Sequence, residues 1–309
     1  MLSSLGIRVA SPDDKDAIRR VCLSAVGPED YVLQDLDGWF TAGEVSIAED
    51  SSGRPVAVMR TIDLPDGAAW LASIRTIKEM QGKGVASEIT RAAMERAKRR
   101  GMTHGRLLIS AKNTASLRVA QKCGLEELFR VSVLEKGEEA GSEEDIIRKS
   151  RTPGHAVGVK EDRRGSEAPV ARVPGSPEAL AALAKPLGRG ELDESPVVIG
   201  LRGYVGLFFT FVSAEREVVA KCAPRTVPVF VDGERFLFTA NRTEPWHGLQ
   251  PISNGPGVGK AAVRALELAG IGEGVVFLPL DARMHRPYLD AGFAYSKWAR
   301  EAVILERQL

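Results

Sequence analysis

The 309-residue sequence is poor in the side chains that build covalent or metal frameworks. Its three cysteines stand far apart in the chain, at Cys22, Cys123 and Cys222. Isolated thiols form neither a disulfide framework nor a zinc-binding pattern. The four histidines also lack the spacing of metal ligands. We therefore expect a protein without structural disulfides and without a metal centre.

Long apolar runs and an excess of one charge are also missing. No stretch of about 18 apolar residues occurs, so we expect no membrane span. The first six residues, MLSSLG, contain no basic region before an apolar stretch, so we expect no signal peptide and a cytoplasmic protein. The net charge of +1 argues against a general nucleic-acid or membrane surface. The oligomeric state stays open.

What the sequence contains is typical of globular domains. Hydrophobic residues make up 44% and charged residues 27%, enough to build real cores. The length favours two domains. An acidic run and a stretch poor in large apolar residues separate the halves. We predict a first domain over residues 1–136, a polar linker over 137–175 and a second domain over 176–309.

The first half predicts an α/β fold with the order strand, helices, three strands, helix, strand, helix, strand. Ser11 and Pro12 provide the start of the first helix, because a serine can cap free N–H groups and proline suits the first turn. The predicted strands lie at 5–10, 44–49, 55–62, 68–77, 106–110 and 127–136. The first predicted helix begins at 11–14 and has an apolar face of Ile18, Val21 and Cys22, and further helices are predicted at 29–42, 85–100 and 114–122.

The second half repeats features of the first at the level of the sequence. Ser176-Pro177-Glu178 repeats the helix start at Ser11-Pro12-Asp13, and Ser176 to Gly292 is nearly as long as Ser11 to Gly124. This similarity of order and length predicts an internal duplication. The predicted helices lie at 213–222, 257–269 and 284–291, and the predicted strands at 227–231, 235–240, 274–280 and 294–306, with Asp232-Gly233 as a hairpin turn.

The segment Gln81-Gly82-Lys83-Gly84-Val85-Ala86 carries the first chemical signal. It stands between a predicted strand and a long predicted helix. Backbone N–H groups at the start of a helix are unpaired and partly positive, so they bind phosphate oxygens. Glycine lets the backbone approach a diphosphate without a Cβ in the way. Lys83 adds a counter-charge.

A second signal follows about 30 residues later, where Asn113 ends a strand and a short helix leads to Gly124-Leu125. Taken together, the two segments resemble the GNAT acetyltransferases. That family has [Q/R]-x-x-G-x-[G/A] after its fourth strand, matched by Gln81, Gly84 and Ala86. The resemblance covers about residues 5–136 and implies a GNAT-like mixed sheet, repeated in tandem if the second half is a copy.

The resemblance implies that the chain binds acetyl-CoA and acetylates an amine. Gln81 to Ala86 would hold the coenzyme A diphosphate, and the strand edge at Ile74 to Ile77, including Thr76, would pair with the pantetheine arm. Asn113 would contact the cofactor, with Ser116 beside it. The amine would attack the thioester directly, without an acyl-enzyme. Backbone N–H groups of the fourth strand would stabilise the developing oxyanion.

One position departs from the family pattern. Family members often carry a tyrosine four residues before the glycine, as the acid for the leaving thiolate, and that position is Ala120 here. A positioned acid typically contributes about 10²–10⁴-fold, but a thiolate is a tolerable leaving group near neutral pH. Water, Ser116 or Cys123 could substitute, although Cys123 fits better as a small packed residue.

The second half shows the opposite pattern. Tyr288 holds the acid position before Gly292-Phe293, while the segment around Asn254 to Lys260 departs from the phosphate-loop pattern. Pro256 in that segment removes one donor N–H. We therefore expect the second half to be a degenerate GNAT-like domain and the chain to bind one coenzyme A. Tyr288 is then structural, or it joins Arg286 in an acceptor pocket shared between the halves.

No residue identifies itself as the general base. Acidic candidates in the first half are Glu29, Asp30, Glu44 and Glu49, and each also fits an ordinary surface charge. Trp39 and Trp70 could wall an acceptor pocket, although a packed core is the simpler interpretation. We expect the acceptor to be a small amine or amino acid. A protein amine, an RNA base or a non-catalytic coenzyme A sensor stay open as alternatives.

Overall fold

The computed structural model describes residues 5–41, 43–137, 183–223, 225–240 and 247–309. Nearly all of the predicted linker and the predicted helix start at Ser176 lie outside these residues. Within the described ranges, no helix combines the length and the apolar character needed to cross a membrane.

Fourteen strands are described. They are β1 (Gly6–Val9), β2 (Glu44–Glu49), β3 (Pro55–Asp63), β4 (Ala68–Thr76), β5 (His104–Ser110), β6 (Glu126–Lys136), β7 (Tyr204–Gly206), β8 (Phe211–Ser213), β9 (Thr226–Val231), β10 (Glu234–Thr239), β11 (His247–Pro251), β12 (Gly274–Leu278), β13 (Ala294–Tyr295) and β14 (Glu301–Gln308).

Eight α-helices accompany the strands. They are α1 (Lys15–Ala25), α2 (Leu36–Thr41), α3 (Val85–Arg99), α4 (Thr114–Lys122), α5 (Pro196–Gly200), α6 (Arg216–Lys221), α7 (Val258–Leu268) and α8 (Ala282–Asp290), and this count covers only the described ranges. Helix α3 buries Val85, Ile89, Ala93 and Ala97, whose spacing of four places them on one face.

A single mixed sheet of twelve strands runs through both halves, in the order β1-β2-β3-β4-β5-β14-β6-β12-β11-β10-β9, with β13 on β6. Strands β4 and β5 are parallel, as are β11 and β12, while the other neighbours are antiparallel. The predicted α/β class with a mixed sheet is confirmed.

The last strand of each half pairs with strands of the other half in this sheet. Strand β14, at the end of the chain, pairs with β5, where Ala302 lies opposite Ser110. Strand β6, at the end of the first half, pairs with β12, where Val276 lies opposite Leu134. Strands β14 and β6 also pair with each other, in the middle of the sheet. The sheet therefore crosses the boundary drawn at residue 136.

A buried ion network reinforces this junction. Arg106 of β5 contacts Asp66 at 2.7 Å and Glu306 of β14 at 2.6 Å. Its Nη1 also donates to the carbonyl of Phe211 (2.8 Å), and Asp66 accepts from the N–H of Ser213 (2.9 Å). Because a buried charge is costly when its partner is missing, these contacts hold both halves in one arrangement.

Two predicted elements of the second half differ from the structure. The helix predicted over 213–222 begins as strand β8, and α6 starts only at Arg216. The strand predicted over 294–306 is interrupted at 296–300, where Ser296 Oγ accepts from the N–H of Trp298 at 3.1 Å. This side-chain bond lies in the break between β13 and β14, both of which pair with β6.

Candidate functional site

The turn before α3 is exposed at the surface of the first half and has an unusual backbone conformation. Gln81 to Gly84 are exposed, and both glycines of the turn have left-handed backbones, with φ of 73° at Gly82 and 85° at Gly84. Side chains rarely adopt these angles, so glycine is required at both positions. Helix α3 follows immediately, with Val85 as its first residue.

Backbone donors are the main feature of this turn. In the described part of the chain, no acceptor takes the N–H of Gly82, Lys83, Gly84, Val85 or Ala86. Five neighbouring donors at the positive end of a 15-residue helix attract negative charge. Such an arrangement is suited to phosphate oxygens. The side chain of Val85 is buried, so only its backbone can take part.

Strand β4 leads into the turn with one free edge. It pairs with β5 only over Ala68 to Trp70, so the remainder of β4 has no strand on that side. Its register with β3 shifts between Arg60 and Val58, and Ser73 there has φ of +56°. This bulge bends β4 away from β5. The two strands therefore form a V that opens towards the turn.

The predicted strand-edge residues lie along this opening. Ile74 and Thr76 are half-buried, and Ile77 is buried in the core. Gln81 Nε2 donates to the carbonyl of Thr76 at 3.0 Å, which ties the turn to the end of the strand. Thr76 Oγ1 is buried and has no hydrogen-bond partner within the described ranges. A polar ligand in the V could satisfy that hydroxyl.

Helix α4 begins at the end of β5, on the other arm of the V. Asn113 caps it, because its Oδ1 accepts from the N–H of Ser116 at 3.1 Å. Both residues keep some exposure, which leaves the Asn113 amide donors and the Ser116 hydroxyl available. Ala120 is buried, and Cys123 is buried with its thiol pKa raised by desolvation. Cys123 is thus a packed residue, as expected.

The acidic candidates of the first half are mostly engaged in ion pairs. Asp30 binds Arg75, Glu44 binds Arg96 and Arg100, and Glu49 binds Arg8. Glu29 is exposed. Trp39 and Trp70 are both buried in hydrophobic core, so the core interpretation is confirmed for both. None of these side chains stands ready as a base in the V.

A cluster that the sequence did not reveal lies at the bulge. The hydroxyls of Tyr31 and Ser73 are 2.6 Å apart, and the Arg75 guanidinium lies 5.2 Å from the centre of the Tyr31 ring. Asp30 holds that guanidinium through two bonds of 2.7 and 2.8 Å. Only the fold brings Tyr31 to Ser73, because nothing in the local sequence of either residue indicates the other.

The second half has a matching turn that is closed. The segment leading into α7 is Gly255-Pro256-Gly257-Val258-Gly259. It corresponds to Gly82-Lys83-Gly84-Val85-Ala86, which leads into α3. The N–H of Gly255 already donates to Glu234 Oε2 at 3.3 Å, and Pro256 has no N–H to offer. A carboxylate in this position repels a phosphate.

The V of the second half is filled as well. Strands β11 and β12 pair over two residues, and the Gln250 side chain occupies the space beyond. Its Oε1 accepts from the N–H of Gly206 at 3.0 Å, and its Nε2 donates to the carbonyl of Phe277 at 3.3 Å. Gln250 is buried. The side chain thus provides the bonds that a bound strand would make.

Helices α7 and α8 close the remaining space. A Cβ at Gly259 would lie 1.9 Å from the Pro287 carbonyl oxygen, so the two helices touch through their backbones. Tyr288 is fully buried, and burial raises the pKa of its phenol well above the ordinary value. The expectation that Tyr288 joins a shared pocket is wrong, because no ligand can reach it. Arg286 is exposed and paired with Asp290.

A cavity of about 410 Å³ lies elsewhere on the first half, between α4, β6 and β14. Its walls include Leu117, Gln121, Leu125, Arg130, Val303 and Leu305. No residue of the turn before α3 lines it. We therefore place the candidate site at the turn and the V, where the backbone donors are.

Comparison with known proteins finds a family match over a range that includes the turn and the V. Residues 17–125, about a third of the chain, match the model of the Acetyltransferase (GNAT) family. Over this range the chain is therefore similar to a GNAT acetyltransferase domain, of a family whose reaction is acyl transfer from acetyl-CoA. No curated protein sequence matches the chain.

Solved structures resemble the chain over its whole length. A GCN5-related N-acetyltransferase from Sphaerobacter thermophilus aligns with a TM-score of 0.57 at 13% identity, covering 100% of this chain and 97% of that one. A protein from Pyrococcus horikoshii described as an acetyltransferase aligns with a TM-score of 0.55 at 16% identity, covering 100% and 91%. At these identities the likeness concerns the fold alone.

Proposed function

We propose that the chain transfers an acetyl group from acetyl-CoA to the primary amine of a small molecule or amino acid, using one cofactor site in the first half. The observation that carries this proposal is the set of five free N–H groups from Gly82 to Ala86, at an exposed helix start beside the open edge of β4. Diphosphate recognition needs such donors, and an extended pantetheine arm needs such an edge.

The residues of the site fit coenzyme A in three places. Gln81 to Ala86 would hold the diphosphate, with Lys83 adding charge from its exposed position. The edge from Ile74 to Ile77 would pair with the arm, and the unpartnered Thr76 Oγ1 would gain a partner. Asn113 and Ser116 would contact the cofactor from the other arm of the V.

The raised pKa values of the three cysteine thiols are consistent with direct attack by the amine. Burial raises the pKa of the Cys22 thiol to about 12 and that of Cys222 to about 11, and it raises the pKa of Cys123 as well. A thiol acts as a nucleophile through its thiolate, so these three are poorly suited to form an acyl-enzyme. Backbone N–H groups at the β4 bulge are candidates for stabilising the oxyanion.

We also propose that the second half is a degenerate copy of the first. Both halves contain a run of antiparallel strands, β1 to β4 in the first and β9 to β11 in the second, followed by a short parallel pair, and both carry a glycine turn before a helix. In the second copy the places that a cofactor would need are occupied. Glu234 takes the turn, Gln250 takes the V, and the contact of Gly259 with Pro287 closes the space between the helices. One coenzyme A per chain follows.

The second half still contributes to the acceptor side in this proposal, though through other residues than Tyr288. Because β14 is inserted beside β5, the segment 296–300 lies at the end of β5, where Ala111 donates to the carbonyl of Glu301 at 2.9 Å. Trp298 in that segment is 47% exposed and packs edge-to-face on Phe209. These residues are suited to border an amine bound at the V.

The test is a titration and a transfer assay on the full chain. We expect coenzyme A to bind with a stoichiometry of one by calorimetry. We also expect acetyl-CoA to be consumed with a panel of small amines and amino acids, with a product mass increased by one acetyl group. Binding without transfer to any small amine, peptide or RNA would favour a coenzyme A sensor, for which the buried Ala120 is the supporting observation. Absence of binding would overturn the proposal.

A further inference from the structure

The phenol of Tyr31 stands at the point where β4 and β5 separate. Its oxygen lies 2.6 Å from Ser73 Oγ, and Ser73 follows Trp70, the last β4 residue that pairs with β5. Tyr31 is 49% exposed, so a bound molecule can reach it. This position places a hydroxyl pair beside the opening of the V.

Several contacts fix that hydroxyl pair. Ser73 has a left-handed backbone (φ +56°), a conformation that persists only where the surroundings enforce it. The Tyr31 ring rests on the Arg75 guanidinium, which the buried Asp30 holds through two hydrogen bonds. Asp30 also accepts from the N–H of Val32 (3.2 Å), so the backbone on either side of Tyr31 is held.

The first half lacks an acid at the place where related enzymes often have one. Ala120 is buried in α4, and the neighbouring Cys123 is buried with a raised thiol pKa. Tyr31 supplies a phenol from a different element, the loop between α1 and α2. The charged groups that face it are Arg75 from β4 and Arg60 from β3, and both favour negative charge on a bound molecule.

We propose that Tyr31 is a catalytic residue that moves the proton of the transfer reaction, with Ser73 as a second catalytic residue that relays a proton to it. This inference rests on the proposed function. Acetyl-CoA, when bound, supplies the acetyl group: a C–N bond forms, the C–S bond breaks, and one proton passes from nitrogen to sulfur. Tyr31 donates its phenolic proton to the sulfur, and its oxygen regains a proton from the amine nitrogen through the Ser73 hydroxyl.

The test compares the full-length protein with Tyr31→Phe and Ser73→Ala. Binding is measured first, as the affinity for coenzyme A relative to desulfo-coenzyme A at pH 9, where part of the free thiol is ionised. Wild-type protein is expected to prefer coenzyme A on the order of tenfold, because the phenol donates to the sulfur. Both compounds should bind Tyr31→Phe about equally, and Ser73→Ala should lie between.

Turnover gives the second measurement. With an amine that wild-type protein acetylates, Tyr31→Phe should lower kcat by about 10²-fold and leave KM for acetyl-CoA within about twofold. The matched control is Tyr204→Phe, a tyrosine of β7 whose ring lies 4.7 Å from the Arg106 guanidinium. It should change neither quantity.

Each other outcome is decisive. An unchanged preference for coenzyme A in Tyr31→Phe, no such preference in wild-type protein, or an unchanged kcat in Tyr31→Phe would overturn the role of Tyr31 and leave the acetyltransferase assignment intact. If wild-type protein binds neither compound, or transfers acetyl to no amine, the proposed function fails and this role fails with it.

Discussion

The turns before α3 and α7 have the same length and nearly the same glycine pattern, yet they differ in what they can bind. The first keeps five N–H groups without acceptors, while the second gives its Gly255 donor to Glu234 and lacks another at Pro256. The V beside the first turn is open, and the V beside the second holds Gln250. A glycine turn before a helix can therefore offer N–H groups to an anion, but neighbouring side chains decide whether those groups stay free.

The largest expected effect distinguishes the two turns directly. Gly84→Glu should weaken coenzyme A binding by about 100-fold or more, because a carboxylate would face the diphosphate and a side chain would be forced into a left-handed backbone. Calorimetry measures the loss. Gly257→Glu is the matched control, since its φ is −88° and an added Cβ meets open space. Equal losses in both variants would contradict a single site.

A second prediction concerns the packing that closes the second half. Gly259→Ala should lower the free energy of unfolding by about 1–3 kcal/mol, because its Cβ would collide with the Pro287 carbonyl and the helices would have to move. Its counterpart in α3 is already an alanine, and Ala86→Gly should cost about 1 kcal/mol through helix propensity alone. Guanidinium unfolding curves give both values. A Gly259→Ala protein as stable as wild type would mean that α7 and α8 are not held in contact.

The smallest expected effect compares two aspartates near helix starts. Arg8 holds the pKa of Asp14 at about 2 through hydrogen bonds, below its ordinary value of 3.8. Because this pKa is lowered in the folded protein, the stabilisation is present above about pH 4 and is lost as the pH falls towards 2. Arg8→Gln should therefore cost up to about 1 kcal/mol at pH 7, and the cost should vanish near pH 2.

The matching pair in the second half is Asp281 with Arg283, whose arginine side chain is 90% exposed. Arg283 also lowers the pKa of its partner to about 2. Because the two residues are only two positions apart and exposed, the pair also forms in the unfolded chain, so Arg283→Gln should change stability less than Arg8→Gln at every pH between 2 and 7. Unfolding followed across that pH range tests both arginines, and a similar pH-dependent loss in Arg283→Gln would remove the contrast between them.

The sequence by itself indicated most elements of the first half and the glycine turn before α3, although the helix predicted over 29–42 is a short 3-10 turn at Tyr31–Gln34 followed by α2. Periodic apolar residues specify α3, Ser11 and Pro12 mark the first helical turn, and the glycines mark the turn before α3, because all of these are local effects of backbone geometry. The same local rules specified the Asp232-Gly233 hairpin, where both residues have positive φ.

Only the tertiary structure decided which strands are neighbours and which donors stay free. The exchange of β6 and β14 joins residues about 170 positions apart, as in the contact of Arg130 with Glu301. The same holds for Glu234 at Gly255, for Gln250 in the second V and for Tyr31 at Ser73. Each is a contact between segments that are distant in the sequence, set by how the sheet is assembled, and no local propensity carries that information.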